Sequence, residues 1–437
     1  MRINMFFRAL FSVLIFFPTV SYASQTLSLV QATREAAEHN PDLKKAEIAS
    51  DSAGWGKLEA LSEHLPHLDV KATHYLESKY SRLGVIFAGN PAHIPSAYPQ
   101  TSVDLEASIL LFDGLGAMNR YRASLFENEA AELELVYARF RLEEWIHIKF
   151  NQALAAQEYE KVADQNIETL EQHLKLARAS HRAGFSTNID VLRLESQMEE
   201  ARAEKILAAD NVIEAKNSLM EAMGVEQDPR ILVGTLPLPV RKPEVEKLKL
   251  EVTKRSDLQA HLRREQAQNR RSAAAASHWF PKLSLFANKQ FYKYGDFDPA
   301  ILSNETFQNA YSVGLNLSWN IFDGGASMAK SARASDLAEM ANQDSRKDML
   351  TSPNEFDAWK RKYIYNTALF EARKRSVEKS TESVRLATIA VRAGSKTHAE
   401  ALDAELELFR ARAGVIKAQL DASEALSQLE LSVGHRL

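Results

Sequence analysis

The sequence contains no cysteine in 437 residues, which excludes disulfide frameworks, thiolate nucleophiles, thiolate metal sites and a lipid anchor on an N-terminal cysteine. Glycine and proline are scarce, at 16 and 13, so collagen-like sequence and turn-rich β folds are also excluded. With 45% hydrophobic and 26% charged residues the chain is too apolar to remain disordered, and helix should dominate. No basic surplus exists: 54 Lys and Arg face 58 Asp and Glu, a formal charge of -4, so nucleic acid is not an expected partner. Gly-rich phosphate loops, nucleophile elbows and Walker motifs are absent, and the 12 histidines are scattered. His64 and His67 straddle Pro66 at a helix end, a poor geometry for zinc. No cofactor, no metal and no enzymatic activity are expected.

What is present opens with an export signal. Arg2 and Arg8 form a basic start, Ala9 to Phe17 is apolar, and Ser21-Tyr22-Ala23 is a small-x-small cleavage site, so residues 1–23 read as a signal peptide. No later stretch is long and apolar enough for a transmembrane helix, so any membrane span must be β.

The remainder is written twice. Asn40-Pro41-Asp42-Leu43 faces Arg255-Ser256-Asp257-Leu258, and Leu65-Pro66-His67-Leu68 faces Phe280-Pro281-Lys282-Leu283, both 215 residues apart. From Phe112-Asp113-Gly114 against Phe322-Asp323-Gly324 onward the offset is 210, and Arg182-Ala183-Gly184 against Arg392-Ala393-Gly394 keeps that register. The five extra residues of the first half fall between Leu68 and Leu111. Both halves close on a helix-ending glycine, Gly224 and Gly434. The expected organisation is a first repeat at 24–224 (helix, β-hairpin 66–112, long helix 114–182, helix 187–223), a proline-rich linker at 225–243, and a second repeat at 244–437 (helix, β-hairpin 281–322, long helix 324–392, helix 397–433).

Each half carries a strand pair. Val103, Leu105, Ala107, Ile109 and Leu111 alternate with polar residues, as do Tyr311, Val313, Leu315, Leu317, Trp319 and Ile321. Long loops, Ser81 to Gln100 and Lys293 to Asn309, join these strands to their partners. An amphipathic hairpin resting on a core and a membrane barrel, apolar outside and wet inside, both fit this alternation. Four strands cannot close a barrel and open edges are not tolerated in lipid, so a barrel requires several chains.

The rest reads as helix. Gly114 to Gly184 and Gly324 to Gly394 each span 70 residues, or about 105 Å of rod. The other helices, near Ser28 to Leu65, Thr187 to Met223, Pro243 to Trp279 and Thr397 to Val433, are about half as long, so two end to end match one rod. Ala123, Phe126, Ala130, Leu133, Tyr137 and Phe140 step by three and four, the seam of a coiled coil. Pro353, where the first half has Glu143, should kink or interrupt the second rod near the level of the linker.

This doubled pattern resembles the TolC family of outer-membrane efflux proteins of Gram-negative bacteria. The likeness covers Leu27-Ser28-Leu29 with Ala32 and Ala36, Asn40-Pro41-Asp42-Leu43, the Pro66 and Pro281 junctions, the two Phe-Asp-Gly turns, and Arg-Ala-Gly followed by Asp190-Val191-Leu192. The resemblance implies a mainly α fold with a small β part: a homotrimer with four strands per chain in one shared transmembrane β-barrel, continued by a long coiled-coil α-helical barrel. It implies an exit duct in the outer membrane, reaching into the periplasm, for a tripartite efflux pump or a type I secretion system. Its partners would be a periplasmic adaptor, an inner-membrane transporter and outer membrane lipid. The rival expectation is an exported coiled-coil structural or adhesin-like protein without a pore.

In that frame Trp279, Phe280, Trp319 and Phe322 sit near the lipid interface as anchors, or pack as ordinary core. Arg182, Ala183, Gly184 and Arg392, Ala393, Gly394 fall at the far tips of the rods, where a transporter or adaptor docks. Glu400 and Asp403, six and nine residues after Gly394, match the positions of the family's acidic ring at the periplasmic entrance and share one helix face. Glu400 also completes a capping box with Thr397, which would turn it to the backbone instead of the lumen. Asp403 is therefore the favoured ring member, with Arg193 and Lys396 as partners in a closed-state ion pair.

Overall fold

The computed structural model describes residues 26–76, 81–96, 101–184, 186–227, 229–240, 247–293 and 307–437. The signal peptide expected at 1–23 and most of the Lys293 to Asn309 loop lie outside the described residues.

Near the start, β1 (Thr26–Leu27) leads into α1 (Leu29–His39) and α2 (Pro41–Ser62). Then come β2 (His67–His74), β3 (Ser81–Phe87), β4 (Asn90–Ser96), β5 (Thr101–Phe112), α3 (Gly116–Arg182) and α4 (Asn188–Met223). Within the linker β6 (Ile231–Leu232) pairs in parallel with β1. The second half runs α5 (Ser256–Ala275), β7 (Lys282–Lys293), β8 (Gln308–Ser318), α6 (Ala326–Arg392) and α7 (His398–Val433). The repeat is metric: α3 and α6 both have 67 residues, about 100 Å of helix, and α4 and α7 both have 36.

The helices near Ser28 to Leu65 and Pro243 to Trp279 are shorter than expected, for local reasons. Pro41 lacks an N–H and forces Asn40 into extended backbone (φ -60°, ψ 123°), so one helix becomes α1 and α2. Ahead of α5 the chain makes short 3₁₀ turns that bury Val252 against Phe356 and Leu429. Conversely, Pro353 does not interrupt α6. Next to the proline, the Ser352 hydroxyl donates to Asp348 O at 2.7 Å and Asn354 Nδ2 to Leu350 O at 3.2 Å, supplying side-chain donors in the turn it perturbs.

At mid-height α2 stacks on α4 and α5 on α7, and the two joints are built alike. Asn40 Oδ1 accepts from Leu43 N at 2.9 Å while its Nδ2 donates to the Ala222 carbonyl at 2.8 Å, clasping the two helix ends. Arg255, its repeat counterpart, donates to the Ser432 carbonyl at 3.4 Å, the counterpart of Ala222. Gly224 and Gly434 end α4 and α7 at φ +74° and +88°. A Cβ on Gly224 would meet His39 O at 2.8 Å, and one on Gly434 the Arg255 side chain at 2.7 Å, so both joints need glycine for conformation and for closeness.

Laterally the helices form a slab. In the half that includes the tips the order is α6, α7, α3, α4; in the half toward the strands it is α6, α5, α3, α2. The seam Ala123 to Phe140 lies toward α5, with the Arg263 guanidinium 5.9 Å from the Phe126 ring and Arg255 5.5 Å from Tyr137. A belt made from α1, β1, β6 and the linker lies on one face at mid-height, where Leu27, Ala32, Ile146, Phe150, Leu219 and Leu236 are buried together. Among the described residues the slab edges are unpaired and apolar: Met340, Leu350, Ile364 and Tyr365 on α6, and Ile48, Trp55, Ile189, Ile206 and Ile213 on α2 and α4, are each more than half exposed. The chain exposes 29362 Å², against about 17,000 Å² for a compact monomer of 49.0 kDa.

Strands β2, β5, β7 and β8 form one antiparallel sheet in that order. Its register lines Leu68, Val70, Leu105, Ile109, Leu285, Val313 and Leu315 along one face and Asp69, Lys71, Asp104, Glu106, Asn288 and Asn316 along the other. The alternation is shorter than its sequence pattern. A bulge between Leu110 and Phe112 leaves Leu111 unpaired and sets Phe112 opposite Leu283, and β8 ends at Ser318, before Trp319 and Ile321. The first hairpin loop contains its own antiparallel pair, β3 with β4.

Candidate functional site at the helix tips and the open face

The two tips share one construction. Arg182 and Arg392 are the exposed last residues of α3 and α6, Ala183 and Ala393 cap them, and Gly184 (φ +81°) and Gly394 (φ +72°) turn the chain. The Gly184 N–H donates to His181 O and the Gly394 N–H to Val391 O, both at 3.0 Å, and among the described residues a Cβ at either glycine would meet open space. Thr187 with Asp190 and Thr397 with Glu400 then form capping boxes that start α4 and α7.

Glu400 is therefore committed. Its Oε2 accepts from Thr397 N at 2.9 Å and from Thr397 Oγ1 at 3.1 Å, and Lys396 Nζ lies 3.7 Å from Oε1. These contacts, the Thr397 N–H foremost, hold its carboxyl below the usual carboxylate range. Lys396 thus pairs inside its own cap, a solvated contact of little energy. Arg193 is exposed and reaches neither carboxylate within the chain. Asp403 is exposed and makes no hydrogen bond or ion pair among the described residues.

The frame of α7 shows which way Asp403 points. Asp403, Glu407, Arg410, Gly414, Lys417, Asp421, Glu424 and Gln428 step alternately by four and three, a single stripe. Glu405, Arg412 and Gln419 occupy the opposite side, and there Gln419 Nε2 donates to Leu236 O of the belt at 2.8 Å. The stripe of Asp403 is thus on the face that the belt leaves open. At the tip it lines a groove of about 770 Å³ between α6 and α7, shared with Lys396, Glu400, Glu407 and Leu386. Cross-links join α3 of the first half to α7 of the second: Asn151–Ser423 at 2.8 Å, Gln152–Glu424 at 2.6 Å, Arg412–Gln165 at 3.2 Å and His173–Glu405 at 3.4 Å.

At the other end Trp279, Phe280, Trp319 and Phe322 gather at the border between strands and helices, each more than half exposed. Phe280 meets Phe112 edge to face at 6.5 Å, so it serves packing as well as the surface. Sequence reasoning missed the role of the aspartates in the Phe-Asp-Gly turns. Asp113 accepts from Ala117 N at 2.8 Å and Asp323 from Ser327 N at 2.9 Å, so each starts a long helix. Asp113 also receives Arg120, which forks onto Glu63 at the end of α2 and ties three elements at the border.

Comparison with known proteins agrees with this geometry. Residues 32–225 and 249–435 match the family model described as outer membrane efflux protein. The pyoverdine export outer membrane protein OpmQ of Pseudomonas aeruginosa is 26% identical over 333 residues, covering 73% of this chain and 65% of that one. The alkaline protease secretion protein AprF of the same organism is 25% identical over 298 residues, covering 64% and 59%. The chain thus spans less than two thirds of the length of these curated relatives. Among solved structures the outer membrane protein VceC of Vibrio cholerae superposes with a TM-score of 0.79 at 18% identity, over 93% of this chain and 96% of that one. CusC superposes at 0.77 and 16% identity, over 93% and 92%. These structural likenesses establish the fold.

Proposed function

The chain belongs to the outer membrane efflux protein family, and from that premise we propose that three copies assemble into one continuous duct through which cargo leaves the cell. The carrying observation is the sheet: apolar on one face, polar on the other, with β2 and β8 as edges unpaired among the described residues, on the same flanks where α2 with α4, and α6, present exposed apolar residues. Joining β8 of one copy to β2 of the next closes a twelve-stranded barrel with no edge in lipid, and the same join covers the helical flanks. The polar face and the open face of the slab then line one passage.

Within it three Asp403 side chains converge near the axis at the periplasmic mouth, where crowded carboxylates attract cations. Glu400 holds the first turn of α7 instead, and Arg193, joined by Lys396 once it leaves its weak contact with Glu400, pairs with Asp403 of a neighbouring copy. The exposed tips at Arg182–Gly184 and Arg392–Gly394 are the surfaces for an adaptor and an inner-membrane transporter, and Trp279, Phe280, Trp319 and Phe322 anchor the barrel at the lipid border. The chain is a conduit and not a catalyst. One relative is named for pyoverdine export and the other for protease secretion, so tripartite efflux and type I secretion are both roles for such a duct.

Single-channel recording in planar bilayers tests this. Small, stable openings blocked by millimolar divalent or trivalent cations from the periplasmic side are expected, with the block lost in Asp403→Ala and kept in Glu400→Gln. Failure to insert or conduct overturns the duct, and an Asp403→Ala channel with unaltered block removes Asp403 from the mouth.

A further inference from the structure

The open face carries a second feature, about 32 Å along α7 from Asp403. There Trp145 of α3 and Trp359 of α6 line one hollow of about 180 Å³, with Asp421 and Glu424 of α7 between them. Because α7 lies between α3 and α6 in the slab, the hollow belongs to a single chain and not to its edges. Each indole already holds an ammonium: Lys362 Nζ, which lines the hollow, lies 4.5 Å from the Trp359 ring centre, and Lys149 Nζ, in the adjoining groove beside Pro41 and Glu221, lies 4.9 Å from that of Trp145.

A lysine head group is strongly hydrated and gains little at an exposed ring. Here two separate lysines settle on two tryptophans that lie 214 residues apart in sequence and meet only in the fold. Glu424 is fixed in place by Gln152 Nε2, which donates to it at 2.6 Å. Trp145 stays 45% exposed, so its ring is reachable from the open face. Indole faces with carboxylates beside them, in a partly enclosed hollow, are the chemistry that recognises organic ammonium groups.

We propose that this hollow is a mid-duct binding station for organic cations. A passing cargo ammonium displaces the Lys362 head group, rests on the indoles and faces Asp421 and Glu424. Lys362 then acts as a tethered competitor: it fills the site when no cargo is present and keeps binding weak enough for release. The station rests on the proposed function, since it needs this face to line the passage; assembled, the duct would carry three such hollows at one height.

The probe is benzyltrimethylammonium, added to reconstituted channels while brief current blocks are timed, with tryptophan fluorescence of the purified protein as a second readout. The double variant Trp145→Leu/Trp359→Leu is expected to weaken block and quenching about fivefold or more. The milder Trp145→Phe/Trp359→Phe pair should fall between it and the parent. Lys362→Met is expected to lengthen the blocks, because the internal competitor is gone. Block and quenching indifferent to the tryptophan changes overturn the station. So does a Lys362→Met variant that binds the cation more weakly while the parent prefers naphthalene-2-sulfonate, which would mark an anion site. A protein that conducts but shows neither block nor quenching refutes the station alone. One that never conducts refutes the duct, and the fluorescence titration still decides whether the hollow binds the cation.

Discussion

Asn40→Ala probes the joint that makes two short helices equivalent to one long one. The side chain does two jobs: its Oδ1 caps α2 through Leu43 N, and its Nδ2 satisfies the buried Ala222 carbonyl at the end of α4. Losing an N-cap of this kind costs about 1 kcal/mol. Leaving a buried carbonyl without its donor costs about 1–2 kcal/mol more. The joint should then open more easily by about 2–3 kcal/mol, a roughly 30- to 150-fold fall in protection, because 1.4 kcal/mol is about tenfold. Hydrogen–deuterium exchange of the first turn of α2 and the last turn of α4, read against distant turns of α3, measures this directly. Asn40→Asp keeps the cap acceptor but places a carboxylate against the Ala222 carbonyl, so the α4 side should lose protection while the Leu43 amide keeps it. If protection at Leu43 and at the end of α4 stays within about threefold of the parent in Asn40→Ala, the clasp carries no such energy and the reasoning fails.

Two further outcomes follow from local geometry. Gly114→Ala and Gly324→Ala both place a Cβ at φ +72°, but at Gly114 that Cβ lies 2.6 Å from Phe280 while at Gly324 nothing is within 4 Å. Both should lower the melting temperature of the solubilised protein through backbone strain of about 1 kcal/mol. Gly114→Ala should lower it further by displacing Phe280 from Phe112, and equal effects would refute the contact. The second outcome concerns pH. Burial lowers the pKa of His147, beside Arg436 and Glu144, whereas the Arg436 carbonyl and then Glu251 raise that of His435. The stability from His435 is complete below its unfolded pKa and is lost as pH rises through its raised folded value. That from keeping His147 neutral is complete above its unfolded pKa and is lost as pH falls through its lowered folded value. Urea midpoints should therefore peak near pH 6.5, where both contributions stand. His147→Asn should flatten the acid limb and His435→Asn the alkaline one; a limb that persists in its own variant rejects that assignment.

The parts legible in the sequence are those whose physics is local. Capping boxes at Thr187 and Thr397, glycine turns at Gly184 and Gly394, helix-ending Gly224 and Gly434, and equal rod lengths all follow from neighbours within a few residues, and the structure reproduces them. The Phe-Asp-Gly aspartates used the same local signal, a carboxylate four residues before the amide it accepts from, but it sits one step outside the usual N-cap position. What sequence alone does not carry is set by contacts across the fold. The bulge that replaces Leu111 with Phe112 depends on pairing with β7, and Pro353 stays helical inside a rod held by α7 and α5. Trp145 and Trp359 look unrelated until α7 comes between them. For the acidic tip, spacing put Glu400 and Asp403 on one face and the capping motif already favoured Asp403; the hydrogen bonds of Glu400 and the position of the belt add which face Asp403 occupies.

The matched 67-residue helices also restrict how such a molecule can change over generations. A single residue inserted into α3 would turn everything beyond it by about 100°, swinging the open-face stripe into the slab and the apolar seam into water. Seven residues restore the facing, since the packing repeats every heptad. Even then α6 must gain the same seven, and so must the stacked helices beside each rod, or the two tips would end at different heights. Length in this architecture is therefore inherited in paired steps of about 10 Å, while the loops between strands remain free to drift one residue at a time.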